Sequence, residues 1–212
     1  MKNIKLAFLL DKKNNWIINH IKNSKYKDIK KIKIFWSIEK IKNYDLVFII
    51  NYTKLIPKKF LKNNRYNLVV HSSDLPKGKG FAPLQWQILE NKKKIFFSMI
   101  NINDKIDSGD ILMKSNIKLN GSELYEELRQ IQSEKVLQMI NKVIKIFPKI
   151  KFKSQKGKGS IYKKRSPDDS EININKSIKS QFNKFRIVNN DKWPAFFYYK
   201  KKKYILKIYK NA

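Results

Sequence analysis

Of the two histidines in this chain, His71 stands where it could do chemistry. It closes a short apolar run, Leu68 to His71, and leads into Ser72-Ser73-Asp74-Leu75-Pro76-Lys77-Gly78-Lys79-Gly80, a turn-rich stretch. Pro83-Leu84-Gln85-Trp86 then opens a helix, since proline suits a first helical position. A third piece, Asp107-Ser108-Gly109-Asp110, lies in the loop after the next strand. A histidine paired with a carboxylate is an acid/base unit: the carboxylate fixes the imidazole tautomer and stabilises its cation while the ring moves protons. Each piece alone says little. A histidine at a strand end is more often a capped surface residue, Asp-Ser-Gly-Asp is more often a plain turn, and Gly-Lys-Gly either cradles phosphate or merely connects. Their order says more, because open parallel sheets bind ligands beyond the carboxyl ends of their strands. That rule brings His71 and Asp107 into one crevice.

The elements that must hold these residues follow from the apolar pattern. Ile4 to Leu10, Ile32 to Trp36, Leu46 to Ile50 and Leu68 to His71 are short runs rich in Ile, Val and Phe, as strands covered on both faces require. Polar, amphipathic stretches alternate with them, and Trp16 to Ile21 reads as a short helix carrying His20 in a structural or exposed role. This is the signature of βαβ units and a largely parallel sheet, an α/β class. Strands are expected over Ile95 to Ile102 and Ile111 to Ile117. A long helix should follow Gly121, with Ser122 as N-cap, Glu123, Glu126 and Glu127 in its first turn, and an apolar stripe running from Leu124 to Val143. It should stop near Pro148. Residues 1–148 are thus expected to form the catalytic unit and 149–212 a linker and extension. Within the latter, 149–164 reads as a loose basic connection and Trp193 to Tyr209 as a hairpin turning through Lys200 to Lys203.

Composition bounds the rest. The 212 residues fit one domain with a short appendage, and 42% hydrophobic residues suffice for a core. No cysteine and two histidines leave no basis for a disulfide or a Cys- or His-rich metal site. The run Leu6 to Leu10 is too short for a secretory or membrane segment, so a cytoplasmic protein without membrane contact is expected. The net charge of +31 invites a nucleic-acid reading. Only four of the 48 basic residues are arginine, however, and the lysines are spread along the chain among abundant Asn and Ile. A codon bias would give that pattern without a nucleic-acid partner and is the favoured reading over a dedicated nucleic-acid surface, although the charge still draws anionic substrates.

Taken together, His71-Ser72-Ser73-Asp74-Leu75-Pro76, Gly80-Phe81-Ala82-Pro83-Leu84-Gln85-Trp86 and Ile106-Asp107-Ser108-Gly109-Asp110-Ile111-Leu112 resemble the folate-dependent formyltransferases. That group includes methionyl-tRNA formyltransferase and sugar-nucleotide N-formyltransferases. The resemblance covers about Asp45 to Ile144 and returns over Tyr162 to Phe197. It implies a Rossmann-like formyltransferase fold and an Asn-His-Asp trio that passes a formyl group from N10-formyltetrahydrofolate to a primary amine, without a metal. His71 and Asp107 occupy two of those places, but Val69 stands where the family has Asn. A lost donor of that kind costs about a hundred- to a thousand-fold in rate. Asn67, on the same strand face by alternation, is an imperfect substitute, and Asn51, Asn101 and Asn103 are others. The resemblance further places the folate against Asn51, Tyr52, Ile102, Asn103 and Asp104, with Lys77, Lys79, Gln85 and Trp86 on the substrate side. Core packing is an equal reading for Tyr52 and Trp86.

The family's tRNA-formylating members carry a C-terminal β-barrel, which this chain is expected to lack, and the stretch between Trp36 and Asp45 is short. The expected acceptor is therefore a nucleotide-linked amino sugar. A methionyl-tRNA formyltransferase-like enzyme and a catalytically impaired, basic RNA-binding relative are the alternatives. A homodimer through the aromatic hairpin is also open.

Overall fold

The computed structural model describes residues 4–12, 16–23 and 31–211. In chain order the elements are β1 (Lys5–Leu10), α1 (Ile18–Asn23), β2 (Lys31–Phe35), β3 (Leu46–Ile50), α2 (Lys58–Lys62), β4 (Tyr66–His71), β5 (Lys79–Gly80) and α3 (Pro83–Leu89). Then come β6 (Lys94–Asn101), β7 (Asp110–Lys118), α4 (Tyr125–Ile146), β8 (Ile161–Tyr162), α5 (Phe182–Arg186), β9 (Ala195–Tyr199) and β10 (Lys202–Leu206). Six strands form one sheet in the order β2-β1-β3-β4-β6-β7. The first four are mutually parallel, while β6 runs antiparallel to β4 and β7 antiparallel to β6.

Strand alternation sorts the core into two faces. Leu6, Phe8 and Leu10 of β1, Leu46, Phe48 and Ile50 of β3 and Leu68 of β4 point to one side, where Leu128, Val136, Ile140 and Val143 of α4 meet them. Ala7, Leu9, Val47 and Ile49 point to the other, covered by Phe60 of α2 and by loop residues Tyr52 and Ile102. Val69 and His71 share that second face with them. The chemistry lies on the thinner side.

Two expectations are corrected. Ser122 does not cap α4: the helix begins three residues later with Leu124 as N-cap, whose N–H donates to Glu127 Oε2 at 2.8 Å. Glu123 lies buried instead, accepting from the backbone of Asn120 and Gly121 and pairing with Arg186 Nη2 at 2.7 Å. Nor is 149–164 loose. Ile150 and Phe152 pack on the core, Lys153 bridges to Ile111, and β8 pairs in parallel with β5. The hairpin forms as expected, β9 against β10, and Phe197 stacks on Tyr204 with ring centroids 5.3 Å apart. Asn183 of α5 donates to the Ile88 carbonyl at the end of α3, so the last sixty residues are tied to the sheet domain.

Candidate active site

His71 is the last residue of β4, and the chain turns at once, with Ser73 N–H donating to the His71 carbonyl. The turn is held from beneath by a buried polar network. Gln87 Nε2 donates to the Ser72 carbonyl at 2.6 Å, Gln132 Nε2 to Ser72 Oγ at 2.9 Å, and Ser98 Oγ to the Ser73 carbonyl at 2.8 Å. Paired polar groups of this kind fix a loop where apolar contacts alone would let it slide.

The imidazole has an oxygen near each ring nitrogen and its side chain is only 8% exposed. Nε2 lies 2.8 Å from the Gly78 carbonyl, an acceptor only, so Nε2 carries the proton. Nδ1 faces Asp107 Oδ1 at 3.5 Å. The other carboxylate oxygen, Oδ2, accepts from Gly80 N–H at 2.8 Å, so one oxygen is held by backbone and one is turned to the ring. Asp107 is the more open member of the pair, 18% exposed.

The antiparallel β6 makes this meeting less direct than a parallel strand would. Its end lies beside the start of β4, where Ile102 N–H donates to the Asn67 carbonyl, and the loop 102–109 must reach back along the sheet face to His71. Asp107 takes a left-handed conformation, φ 46°. Gly109 passes so close to Asn101 that an added Cβ would overlap its carbonyl oxygen; no other residue fits there. Lys79 Nζ donates to Ser108 Oγ at 2.8 Å and closes the cluster from the opposite loop. Asp104 is paired with Lys58 of α2 at 2.9 Å.

Not every expected residue arrives. Asn67 is 3% exposed, and its amide is spent on the Leu61 carbonyl (3.0 Å) and Asn64 (3.5 Å). Two residues before Val69, about 7 Å along β4 at strand rise, and with its amide already committed, it does not stand in the place of the donor missing at Val69. Asn101 Oδ1 accepts from Asn67 N–H, and Asn103 Oδ1 turns back onto Lys105 N–H. Asn51 ends β3 in a left-handed turn, φ 50°. Trp86 stacks on Tyr162, ring centroids 5.9 Å apart, and donates to the Lys163 carbonyl, which favours packing for it. Gln85 lies against Arg129 with its amide oxygen turned to the guanidinium. Lys77 is exposed on the same turn as Lys79. Among the described residues, no group of three His, Asp or Glu side chains could hold a metal. A cavity of about 730 Å³ lies elsewhere, between Trp86, Asp168, Glu171 and Tyr198, and includes neither His71 nor Asp107.

Three contributors carried no readable sign in the sequence: the Gly78 carbonyl, the Gly80 N–H, and the segment 153–162 that presses on both loops. Only the crowding of glycines at 78, 80, 157 and 159 hinted at close backbone contact.

Residues 12–144 match the formyl transferase family. Methionyl-tRNA formyltransferase of Finegoldia magna is 30% identical over 177 residues, which cover 81% of this chain and 56% of that protein. The chain spans about half the length of the curated relatives it matches. In three dimensions, methionyl-tRNA formyltransferase from Clostridium thermocellum aligns over 94% of this chain and 90% of its own, with a TM-score of 0.77 at 23% identity. A 4-N formyltransferase from Francisella tularensis aligns over 98% of both chains, with a TM-score of 0.70 at 18% identity. With the three motifs folded into one site and the match spanning more than half its length, the chain belongs to the formyl transferase family.

Proposed function

We propose that this chain transfers a formyl group from N10-formyltetrahydrofolate to a primary amine, with His71 as acid/base and Asp107 as its partner. The observation that carries this reading is the placement of the His71 ring between the Gly78 carbonyl and the Asp107 carboxylate. With Nε2–H given to Gly78, the nitrogen left to take a proton is Nδ1, and it faces a carboxylate. A proton leaving the attacking amine enters this pair, and the ring's charge forms beside Asp107, where it is stabilised. The same proton can return to the leaving nitrogen.

The residues beside the pair suit a folate. Tyr52, Val69 and Ile102 give a half-buried apolar floor on the same sheet face, and a flat ring rests on such a floor while its polar edge meets peptide groups. Asn51, Tyr52, Ile102, Asn103 and Asp104 would hold it, with Lys58 steadying Asp104. When bound, the folate supplies the formyl group activated on nitrogen. Val69 offers no donor to the formyl oxygen, which predicts a slower enzyme than one with Asn at that position.

Methionyl-tRNA is the acceptor favoured by the similarity to relatives of that name and by the +31 charge, which draws polyanions. The second reading is a nucleotide-linked amino sugar, favoured by Lys77 and Lys79, which put two cations on the turn beside the pair, where a diphosphate could be held. Tetrahydrofolate release, followed with each acceptor class in turn and with His71→Ala as control, tests both. Turnover with tRNA and not with sugars supports the first acceptor, and the reverse supports the second. No release with any amine from folded protein overturns the formyl-transfer reading.

A further inference from the structure

The segment 153–162 lies beyond the residues matched to the family, 12–144, yet it touches both loops that build the acid/base pair. At one end Lys153 and Ile111 exchange backbone hydrogen bonds of 2.9 and 2.8 Å. Two residues on, Gln155 Nε2 donates to the carbonyls of Asp107 at 2.8 Å and Gly109 at 2.9 Å. Those carbonyls flank Ser108, and Asp107 is the left-handed residue of the loop. A side-chain-bearing residue keeps that conformation only where its surroundings over-determine it, and the forked contact from Gln155 is what supplies this.

At the other end, Ser160 Oγ accepts from Gly78 N–H at 2.9 Å, and the Ser160 carbonyl accepts from Lys79 N–H at 2.9 Å. Gly78 is the residue whose carbonyl takes the His71 ring. Between the two anchors Gly157 stands in open space, φ 93°, so the strap spans from one loop to the other. We infer that Gln155 and Ser160 are positioning residues for the His71–Asp107 pair, Gln155 setting the carboxylate and Ser160 setting the carbonyl that orients the imidazole. The kinetic part of this inference rests on the proposed formyl transfer; the structural part does not.

The test uses the full chain and two substitutions. Gln155→Met keeps the length and removes both donated hydrogen bonds, while Ser160→Ala removes the acceptor for Gly78. With only two histidines present, the His71 ring nitrogens are assignable by ¹⁵N NMR through a His20→Ala variant. Ser160→Ala should lower the share of the Nε2–H tautomer, and Gln155→Met should move the Nδ1 resonance. Where wild-type protein turns over, Gln155→Met should cut kcat about a hundred-fold, the size of effect that a misplacement of about 1 Å produces, with little change in either KM. In an Asp107→Asn background the same substitution should cost nothing further.

Ring resonances that stay fixed in both folded variants overturn the inference, whatever the activity. So does an equal rate loss with and without Asp107, which is the mark of a strap that only stabilises. Shifted resonances in a wild type without turnover uphold the strap's role and sink the formyl-transfer reading instead. Should Gln155→Met fail to fold, Gln155→Glu keeps the shape and replaces the donor by an acceptor.

Discussion

On one face of the sheet, α4 lays six turns of apolar stripe across β1, β3 and β4, and side chains from six of the described elements close over it. On the other face the cover is a five-residue helix and a set of loops, and among the described residues six apolar side chains form its buried cluster. Both faces belong to the same strands, residue by residue in alternation. The first face can therefore carry the stability, which leaves the second free to spend its surface on polar geometry that apolar burial would forbid.

Substitutions should separate the two faces by what they damage. The largest effect is expected from Asp107→Asn, which keeps an oxygen for Gly80 N–H but removes the charge opposite His71. The kcat for tetrahydrofolate release should fall about a hundred- to ten-thousand-fold, while the thermal melt stays where it was. A melt that collapses with the rate preserved would erase the distinction between the faces.

Next in size is Glu123→Gln, behind the helix-covered face. Burial alone would raise this carboxyl, but the N–H groups of Asn120 and Gly121 and the Arg186 guanidinium outweigh it and hold it below the usual carboxylate range. A lowered folded value means stability that is complete above the ordinary glutamate value of about 4.3 and lost as pH falls through the lower one. The wild type should lose stability across that acid window, and the variant should lose less there, since Asp104 and Glu127, also held low, still titrate in both proteins. At neutral pH the variant should be less stable by about 3 kcal/mol, because Arg186 remains buried without its counter-charge. Parallel denaturant titrations of the two proteins at pH 7 and through the acid range measure both parts.

The smallest effect is Ile140→Val in α4. One methylene removed from a fully buried position should cost about 0.5–1.5 kcal/mol in a denaturant titration, with kcat per folded molecule unchanged. A comparable loss of rate would mean that the faces are mechanically coupled.

Much of this could be read from the sequence because it rests on local pattern. The strands covered on both faces announce themselves as continuous apolar runs, and α4 by its stripe. Strand direction does not, since nothing within Lys94–Asn101 distinguishes a parallel neighbour from an antiparallel one. The five-residue α2, with Phe60 as its one buried side chain, is too short to show a period. His71 and Asp107 were visible through their motifs. The failure at Asn67 has another cause: alternation gives the face of a side chain but not its partners, and Leu61 and Asn64 had already claimed that amide. Gln155 and Ser160 were hidden because they act through backbone carbonyls and N–H groups, to which every sequence looks alike.

The contact between the glycine loop and Tyr162 constrains how this chain can diverge. A side chain at position 78 would meet the Tyr162 ring, its Cβ 2.6 Å from Cε2, whereas one at position 80 would meet the Tyr162 carbonyl oxygen at 2.5 Å. A small residue at 162 would relieve the first conflict but not the left-handed backbone of Gly78, φ 72°, nor the approach of its Cβ to Ser73 at 3.0 Å, so glycine is favoured at 78 whatever stands at 162. The second involves backbone, which no exchange at 162 relieves. Gly80 is thus fixed by the path of the chain itself, and a homologue that has lost it must have rerouted β8.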